Sequence, residues 1–446
     1  MSSQWEVVTK SKRSKLEKNI SQAERKKLLE NGPKLEEILP AHHVRSIFAN
    51  LSKEKNKEKK TEKPKAASPK KPKPAEPPKK KSTPQPPKPK NIESALGSIS
   101  PQELECHLEN LKASFPNSEL LWLKGVLGFL GSNLHIDTDP VFSGKSPQYP
   151  SVIIPKALKA TLISILKSVG DTNLFYFFDQ LLTGLAVDMS KNQPVLGHKI
   201  LLQLIGHNWP KVCCNSFAKT AILLNSYQNR NTIGLSLLWG LGQGGYKDLT
   251  VGIKVWQNIM LPLSELRNYS RYVAEYIEKI LKAAGPGSKI YLSQDEFFAT
   301  YHALTTPKGF PRECHKGLSE SASMIIKKYI HSDVKLANIF LRLFREIEDP
   351  SQHKVQIGGC IECLITSSDC FRIWKMNYKK NTLPSTILID KLKADWENLP
   401  KEFTSSAKLK DFLSEASQLS SEIQKGKKKN RYAGNLLQIV NVSRLL

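Results

Sequence analysis

LLWGLGQGGYKDLTVGIKVWQ, residues 237–257, sets Gly240, Gly242 and Gly245 in a G-x-G-x-x-G spacing, with Glu265 twenty residues past the last glycine. A dinucleotide-binding fold needs a strand before those glycines, a helix opening at them and a second strand carrying the acid. Here Ile233, Leu237, Leu238 and Leu241 recur upstream at helical spacing, and the path to Glu265 runs through Pro262. The surroundings are helix, turn and helix. Gly242, Gly244 and Gly245 therefore read as a C-terminal cap, where a positive φ lets the chain leave one helix, and Asp248 reads as the N-cap of the next. That next helix carries Leu249, Ile253, Trp256, Met260 and Leu263 on one face, which is a core stripe. The expectation is a structural helix-turn motif built on Gly242, Gly244, Gly245, Asp248 and Trp256, with no cofactor.

The same texture continues on both sides. Ser100 and Pro101 read as an N-cap and first helical position, after which Leu104, Leu108 and Leu111 line one face. Leu120, Leu121, Leu123, Val126, Leu127 and Leu130 follow in the next run. Further amphipathic runs cover roughly 154–169, 173–187, 194–205, 209–225, 232–243, 249–262, 268–283, 292–304, 317–332, 334–347, 354–376, 385–396 and 406–424. Short breakers separate them, at Gly170-Asp171, Pro194, Pro210, Pro262, Gly285-Pro286-Gly287 and Pro384. Only Val152 to Ile154 resembles a strand, and it is too short to carry a sheet. The expected body, 91–424, is all-α. Helices joined by such short loops suggest antiparallel pairs stacked in a HEAT/armadillo-like α-solenoid, although no strict sequence period emerges.

Charge is concentrated at the N-terminus. The 446-residue chain has a formal net charge of +26. Residues 1–90 hold 25 Lys/Arg against 10 Glu, whereas the rest of the chain holds 42 Lys/Arg against 31 Asp/Glu. Lys53 to Lys90 is Lys, Pro and Glu with almost no apolar side chain, so it cannot bury enough surface to offset ordering entropy. Residues 1–90 are expected to be a disordered basic arm, with a short amphipathic segment near 42–52 formed by Val44, Ile47, Phe48 and Leu51. Such an arm would attract phosphates of RNA or anionic lipid by counterion release. It lacks the interleaved aromatics of single-strand binders between residues 49 and 114. Residues 425–446 form a basic C-terminal tail.

Motifs for catalysis are missing. There is no G-x-S-x-G, no H-E-x-x-H and no nucleophile with a recognisable base, so no enzyme and no small-molecule substrate are expected. SGKS at 143–146 would need glycine at position 139 to be a phosphate loop, and Asp139 stands there. Cys360 and Cys363 form a C-x-x-C with Cys370 and His353 nearby, but cysteines at helical i, i+3 among Ile361, Leu364 and Ile365 read as packed thiols, with no metal expected. His42-His43 and Cys314-His315 lie in loop-like, polar surroundings and read as surface groups. Seven cysteines in helical sequence suggest free thiols in a reducing compartment. No apolar segment follows the opening MSSQWEVVTKSKR, so the chain is expected to start in the cytosol. The uncharged stretch Asn231 to Tyr246 is sixteen residues with five glycines, too short and polar to span a bilayer.

Three stretches resemble one family: WEVVTKSKR from Trp5, ESALGSISPQELECHLENLKASFPNSELLWLKGVLGFL from Glu93, and LLWGLGQGGYKDLTVGIKVWQNIMLPL from Leu237. They are similar to the transmembrane protein 214 family. The resemblance covers most of Asn91 to Gln424. It implies an endoplasmic reticulum membrane resident with a large cytosolic helical part, which takes part in apoptosis under reticulum stress by recruiting a procaspase, and it transfers no catalytic residue. The family continues into very hydrophobic membrane-inserting segments, whereas this sequence ends at QIVNVSRLL, as a truncated product or a soluble isoform would. KGKKKNR, Lys425 to Arg431, would then lie on the cytosolic side of such a segment. The function expected is a non-enzymatic scaffold of the cytosolic face of the reticulum; the alternative is an RNA- or ribosome-associated adaptor acting through the arm.

Overall fold

A computed structural model describes residues 91–136, 142, 145–350 and 353–425. The expected arm over 1–90, its amphipathic segment, Ser143 and Gly144 of SGKS, and the tail beyond residue 425 lie outside the described residues. Among the described residues there are eighteen α-helices and no strand. In chain order they are α1 (Ile92–Gly97), α2 (Pro101–Ser114), α3 (Glu119–Asn133), α4 (Lys156–Ser168), α5 (Asp171–Ser190) and α6 (Leu196–Asn208). Next come α7 (Phe217–Tyr227), α8 (Asn231–Gly242), α9 (Leu249–Val255), α10 (Arg267–Ala283), α11 (Gln294–Thr305) and α12 (His315–Ile330). The last six are α13 (Leu336–Arg345), α14 (Lys354–Thr366), α15 (Asp369–Asn377), α16 (Thr382–Ala394), α17 (Lys401–Thr404) and α18 (Ala407–Lys425).

Local chemistry sets several of the boundaries. The Ser100 hydroxyl accepts from the Glu103 backbone N–H, and Pro101 occupies the first helical position, where its missing N–H removes no bond. Ser293 and Glu296 form a reciprocal capping box at the start of α11, with bonds of 3.2 and 2.8 Å. Gly170, at φ 75°, turns α4 into α5, a conformation that a Cβ would disfavour. Three expected runs are divided. The 209–225 run is a 3₁₀ turn, Pro210–Cys214, followed by α7. The 354–376 run breaks at Ser367, whose extended backbone separates α14 from α15. The 249–262 run is α9, then a π-helical turn over Trp256–Met260, then a 3₁₀ turn over Leu261–Leu263 at Pro262. Pro384, expected to separate elements, instead sits in the first turn of α16, where its missing N–H breaks no helical bond.

One contiguous apolar core runs from Ala95 to Ala416. Its centre holds two helices that are buried nearly all round. Every residue of α6 from Leu196 to Gly206 is buried, and α8 is buried continuously from Ser236 to Gly242. Helices enclosed on most sides show little polar periodicity. Leu121, expected on the core face of α3, is instead 44% exposed. The principal helix pairings are local in sequence: α13 meets α14 and α15, α11 meets α12, α2 meets α3, α5 meets α6 and α8, α8 meets α10, α10 meets α12, α12 meets α14, and α15 meets α18.

Candidate functional site

The glycine turn lies beneath a cleft, to whose lining it contributes only Gln243 and Tyr246. After Gly242 (φ −73°) the chain tightens into a 3₁₀ turn, Gln243–Tyr246. Gly242, Gly244 and Gly245 do not adopt the left-handed conformation expected of a C-cap; among the described residues only Gly170 and Gly309 are glycines with positive φ. Their requirement is room. A Cβ at Gly244 would lie 2.8 Å from the Cys213 sulfur and 2.9 Å from the Pro210 carbonyl oxygen. A Cβ at Gly245 would lie 2.7 Å from the Gly252 Cα and would overlap the Tyr276 hydroxyl. One at Gly242 would lie 2.7 Å from the Tyr276 ring. The missing side chains thus seat Tyr276 of α10, whose hydroxyl donates to the Gly242 carbonyl at 2.9 Å.

Asp248 caps α9, its carboxylate accepting from the backbone N–H groups of Thr250 (2.9 Å) and Val251 (3.3 Å). Trp256 is fully buried, and its indole N–H donates to the Val273 carbonyl at 3.0 Å, tying the π-helical turn to α10. Leu249, Ile253, Met260 and Leu263 are buried with it, together with Val251, Val255 and Ile259. The structure therefore brings all five motif residues into one packed unit, and none of the three glycines lines an opening.

In front of that unit lies a cleft of about 560 Å³, within the range of ligand-sized sites, bounded by loop residues 145–147, α8 and α10. The loop is pinned from beneath. Gln203 of α6 donates through Nε2 to the carbonyls of Pro147 (3.0 Å) and Tyr149 (3.1 Å) and to Gln243 Oε1 (2.9 Å). Its Oε1 accepts from the Ser151 N–H at 2.8 Å. Gln243 in turn donates to the Trp239 carbonyl. Phe142 packs edge-on against both Trp239 and Tyr149, and the buried Lys199 ammonium lies 4.6 Å from the centre of its ring.

The cleft's chemistry is aromatic inside and cationic at the rim. Trp239, Tyr246, Tyr272 and Tyr276 form the wall, with Tyr246 and Tyr276 edge-to-face. Burial pushes the Tyr246 phenol up to about 12 and raises those of Tyr272 and Tyr276 well above the ordinary phenol value, so all three keep their protons. Arg271, Glu275 and Lys279 follow at i, i+4 and i+8 along α10, with Glu275 accepting from Arg271 Nε at 3.0 Å and from Lys279 at 3.1 Å. Partial burial pulls the Glu275 carboxyl upward, but the bonds and charges of Lys279 and Arg271 outweigh it and hold the group below the usual carboxylate range. With Lys145, the lining has three cations and one carboxylate.

A second opening of about 520 Å³ lies between α5 and α7, beside Phe175, Tyr176 and Phe217. Two of its polar groups are already engaged by Asp179 of α5, Ser216 at 2.9 Å and Lys219 at 3.5 Å. Elsewhere, Cys360, Cys363 and Cys370 are buried on α14 and α15, and burial raises all three thiols, Cys370 to about 12. Among the described residues no group of three or more His, Cys, Asp or Glu side chains is arranged to hold a metal ion. Cys314 and His315 do not occupy a loop: the first ends a 3₁₀ turn and the second opens α12, its Nε2 lying 3.1 Å from the Phe310 carbonyl.

Sequence reasoning missed the rim. The signal was present in RNYSRYVAEYIEK, where charged residues repeat every four positions beside tyrosines four apart. Only the folding of residues 145–147 onto that helix makes it a cleft.

A family model described as "TMEM214, C-terminal, caspase 4 activator" matches residues 2–443. The chain is 26% identical over 336 residues to Transmembrane protein 214 of Homo sapiens, covering 71% of this chain and 48% of that protein. It is 26% identical over 332 residues to the Bos taurus protein of the same name, covering 70% and 47%, and 25% identical over 339 residues to Transmembrane protein 214-A of Xenopus laevis, covering 71% and 48%. It thus spans about half the length of the curated relatives it matches. No solved structure matches it.

Proposed function

The chain belongs to the transmembrane protein 214 family, and from that premise we propose that it is a non-enzymatic scaffold at the cytosolic face of the endoplasmic reticulum whose helical body docks a procaspase. The family description, an activator of caspase 4, carries the partner half of this reading. The helical body supports the scaffold half. Its principal helix pairings are between near neighbours in sequence, the pattern expected of a HEAT/armadillo-like stack, and such stacks present extended surfaces to partners. Membrane attachment is supported by the relatives' name; among the described residues no helix is long and apolar enough to cross a membrane. The basic arm keeps a second reading open, an adaptor on RNA or ribosomes, because residues 1–90 hold 25 Lys/Arg against 10 Glu.

Co-immunoprecipitation of the tagged chain from stressed cells, combined with membrane fractionation, tests the first reading. The expected result is procaspase-4 recovered with the chain in the reticulum fraction. Recovery of ribosomal RNA instead, lost at raised salt and on deletion of residues 53–90, would favour the second.

A further inference from the structure

We infer that the cleft bounded by residues 145–147, α8 and α10 is a docking site for an acidic peptide segment bearing an aromatic anchor, an inference that rests on the scaffold reading and specifies the chemistry of its partner. Charge complementarity points first to an acidic occupant. Lys145, Arg271 and Lys279 face the opening, and Glu275 answers only part of their charge. Arg271 is 75% exposed and bonds to Glu275 through Nε, with Glu313 a second carboxylate nearby, so its terminal nitrogens are not taken up by the Glu275 bond. The hydroxyls of Tyr246 and Tyr272 have no hydrogen-bond partner among the described residues, although their rings line the wall. The cations can only donate, and each protonated phenol adds an O–H donor. A carboxylate suits them; another cation does not.

The wall then selects what carries the carboxylate. Trp239, Tyr246 and Tyr276 present ring faces and edges behind the rim, which favours an aromatic side chain inserted beyond a flanking acid. A nucleotide is a poorer match, because Gly242, Gly244 and Gly245 lie behind the wall and offer no backbone N–H cradle to phosphates. A membrane surface is poorer too. The aromatics are recessed, whereas bilayer insertion needs them to protrude, and Glu275 interrupts the basic rim that anionic headgroups would meet. The geometry thus favours a peptide.

The test uses the full chain and three fluorescein-labelled peptides, read by fluorescence anisotropy near physiological salt. One has a central Trp flanked by Glu, the second replaces every Glu by Lys, and the third replaces the Trp by Ala. The basic N-terminal region attracts any acidic peptide, so the informative quantity is the difference between the wild type and the Arg271→Glu, Lys279→Glu double variant in the same chain. The double variant is expected to bind the Glu-Trp peptide about tenfold more weakly, and replacing the peptide's Trp by Ala should weaken wild-type binding to a similar degree. The Lys twin should show no saturable binding, and the thermal midpoint of the double variant should fall only slightly, since both substituted side chains are exposed and the two i,i+4 ion pairs with Glu275 become weak like-charge repulsions. Tyr246→Phe, which keeps the ring and removes one donor, should lower affinity about two- to fivefold.

Equal affinity of the wild type and the double variant, or binding indifferent to the Trp, overturns the proposal. Vesicles containing phosphatidylserine that bind in an Arg271- and Lys279-dependent way, while the peptide does not, also overturn it. Procaspase capture in cells that is unaffected by the double variant removes the cleft and leaves the scaffold. Peptide binding in the expected pattern without procaspase capture leaves the cleft and removes that partner.

Discussion

Gly245→Ala isolates what the glycine turn is for. The new methyl group would lie 2.7 Å from the Gly252 Cα and collide with the Tyr276 hydroxyl, in a region where neither neighbour is the free end of a flexible chain. Overpacking a tight core costs about 1–3 kcal/mol. Displacing Tyr276 also weakens its 2.9 Å bond to the Gly242 carbonyl, a further ~0.5–1.5 kcal/mol. Against this, alanine restricts the unfolded chain and returns about 0.4–1 kcal/mol. The net expectation is a loss of about 0.5–4 kcal/mol, read as a lower urea midpoint with unchanged slope. Gly287→Ala is the control, because nothing lies within 4 Å of its added Cβ and its φ is not positive. It should be neutral or slightly stabilising. Gly245→Asn separates close packing from backbone conformation: asparagine tolerates the left-handed region but is larger than alanine. Close packing makes Asn the worse substitution. Asn better tolerated than Ala at 245, or Gly245→Ala as stable as wild type, would refute the reasoning.

Other outcomes follow from the same geometry. Asp248→Ala removes both acceptor bonds at the start of α9 and should cost about 0.5–2 kcal/mol, with Asp248→Asn recovering most of it in a denaturation series. His207 is lowered from 6.5 to about 4 by burial and then by the charges of Lys247 and Lys159. The unfolded chain therefore binds the extra proton between those values, and stability should fall as pH drops from 6.5 toward 4, by up to about 3 kcal/mol. His207→Gln should flatten that slope; an unchanged pH profile would contradict it. Iodoacetamide on the native chain should modify the exposed Cys106 rapidly and spare Cys360 and Cys363, whose thiols burial keeps protonated, until denaturant is added. Mass spectrometry of the alkylated peptides reads the order.

Helix existence was legible wherever a polar face survives, as in α2, where Leu104 and Leu108 recur between charged positions and Ser100-Pro101 marks the start. Boundaries were less so. Pro384 looks like a breaker in one dimension but is harmless in the first turn of α16, and the Ser367 break leaves little trace in an otherwise helical run. The glycine turn joins two helices, but the reason for its glycines lies in tertiary neighbours. Cys213, Gly252 and Tyr276 come from other segments, and no local pattern announces that they approach within a Cβ radius. The cleft was hidden for the same reason. Its rim is a surface charge ladder on α10 when read alone, and it becomes a site only where Gln203 holds residues 147–151 across from it.

The most direct measurement of the docking account is calorimetric titration of the purified chain with catalytically inactive procaspase-4. Saturable one-to-one binding with a negative heat-capacity change, weakened by Arg271→Glu with Lys279→Glu, is the predicted result. No heat of binding up to about 100 μM zymogen would contradict it.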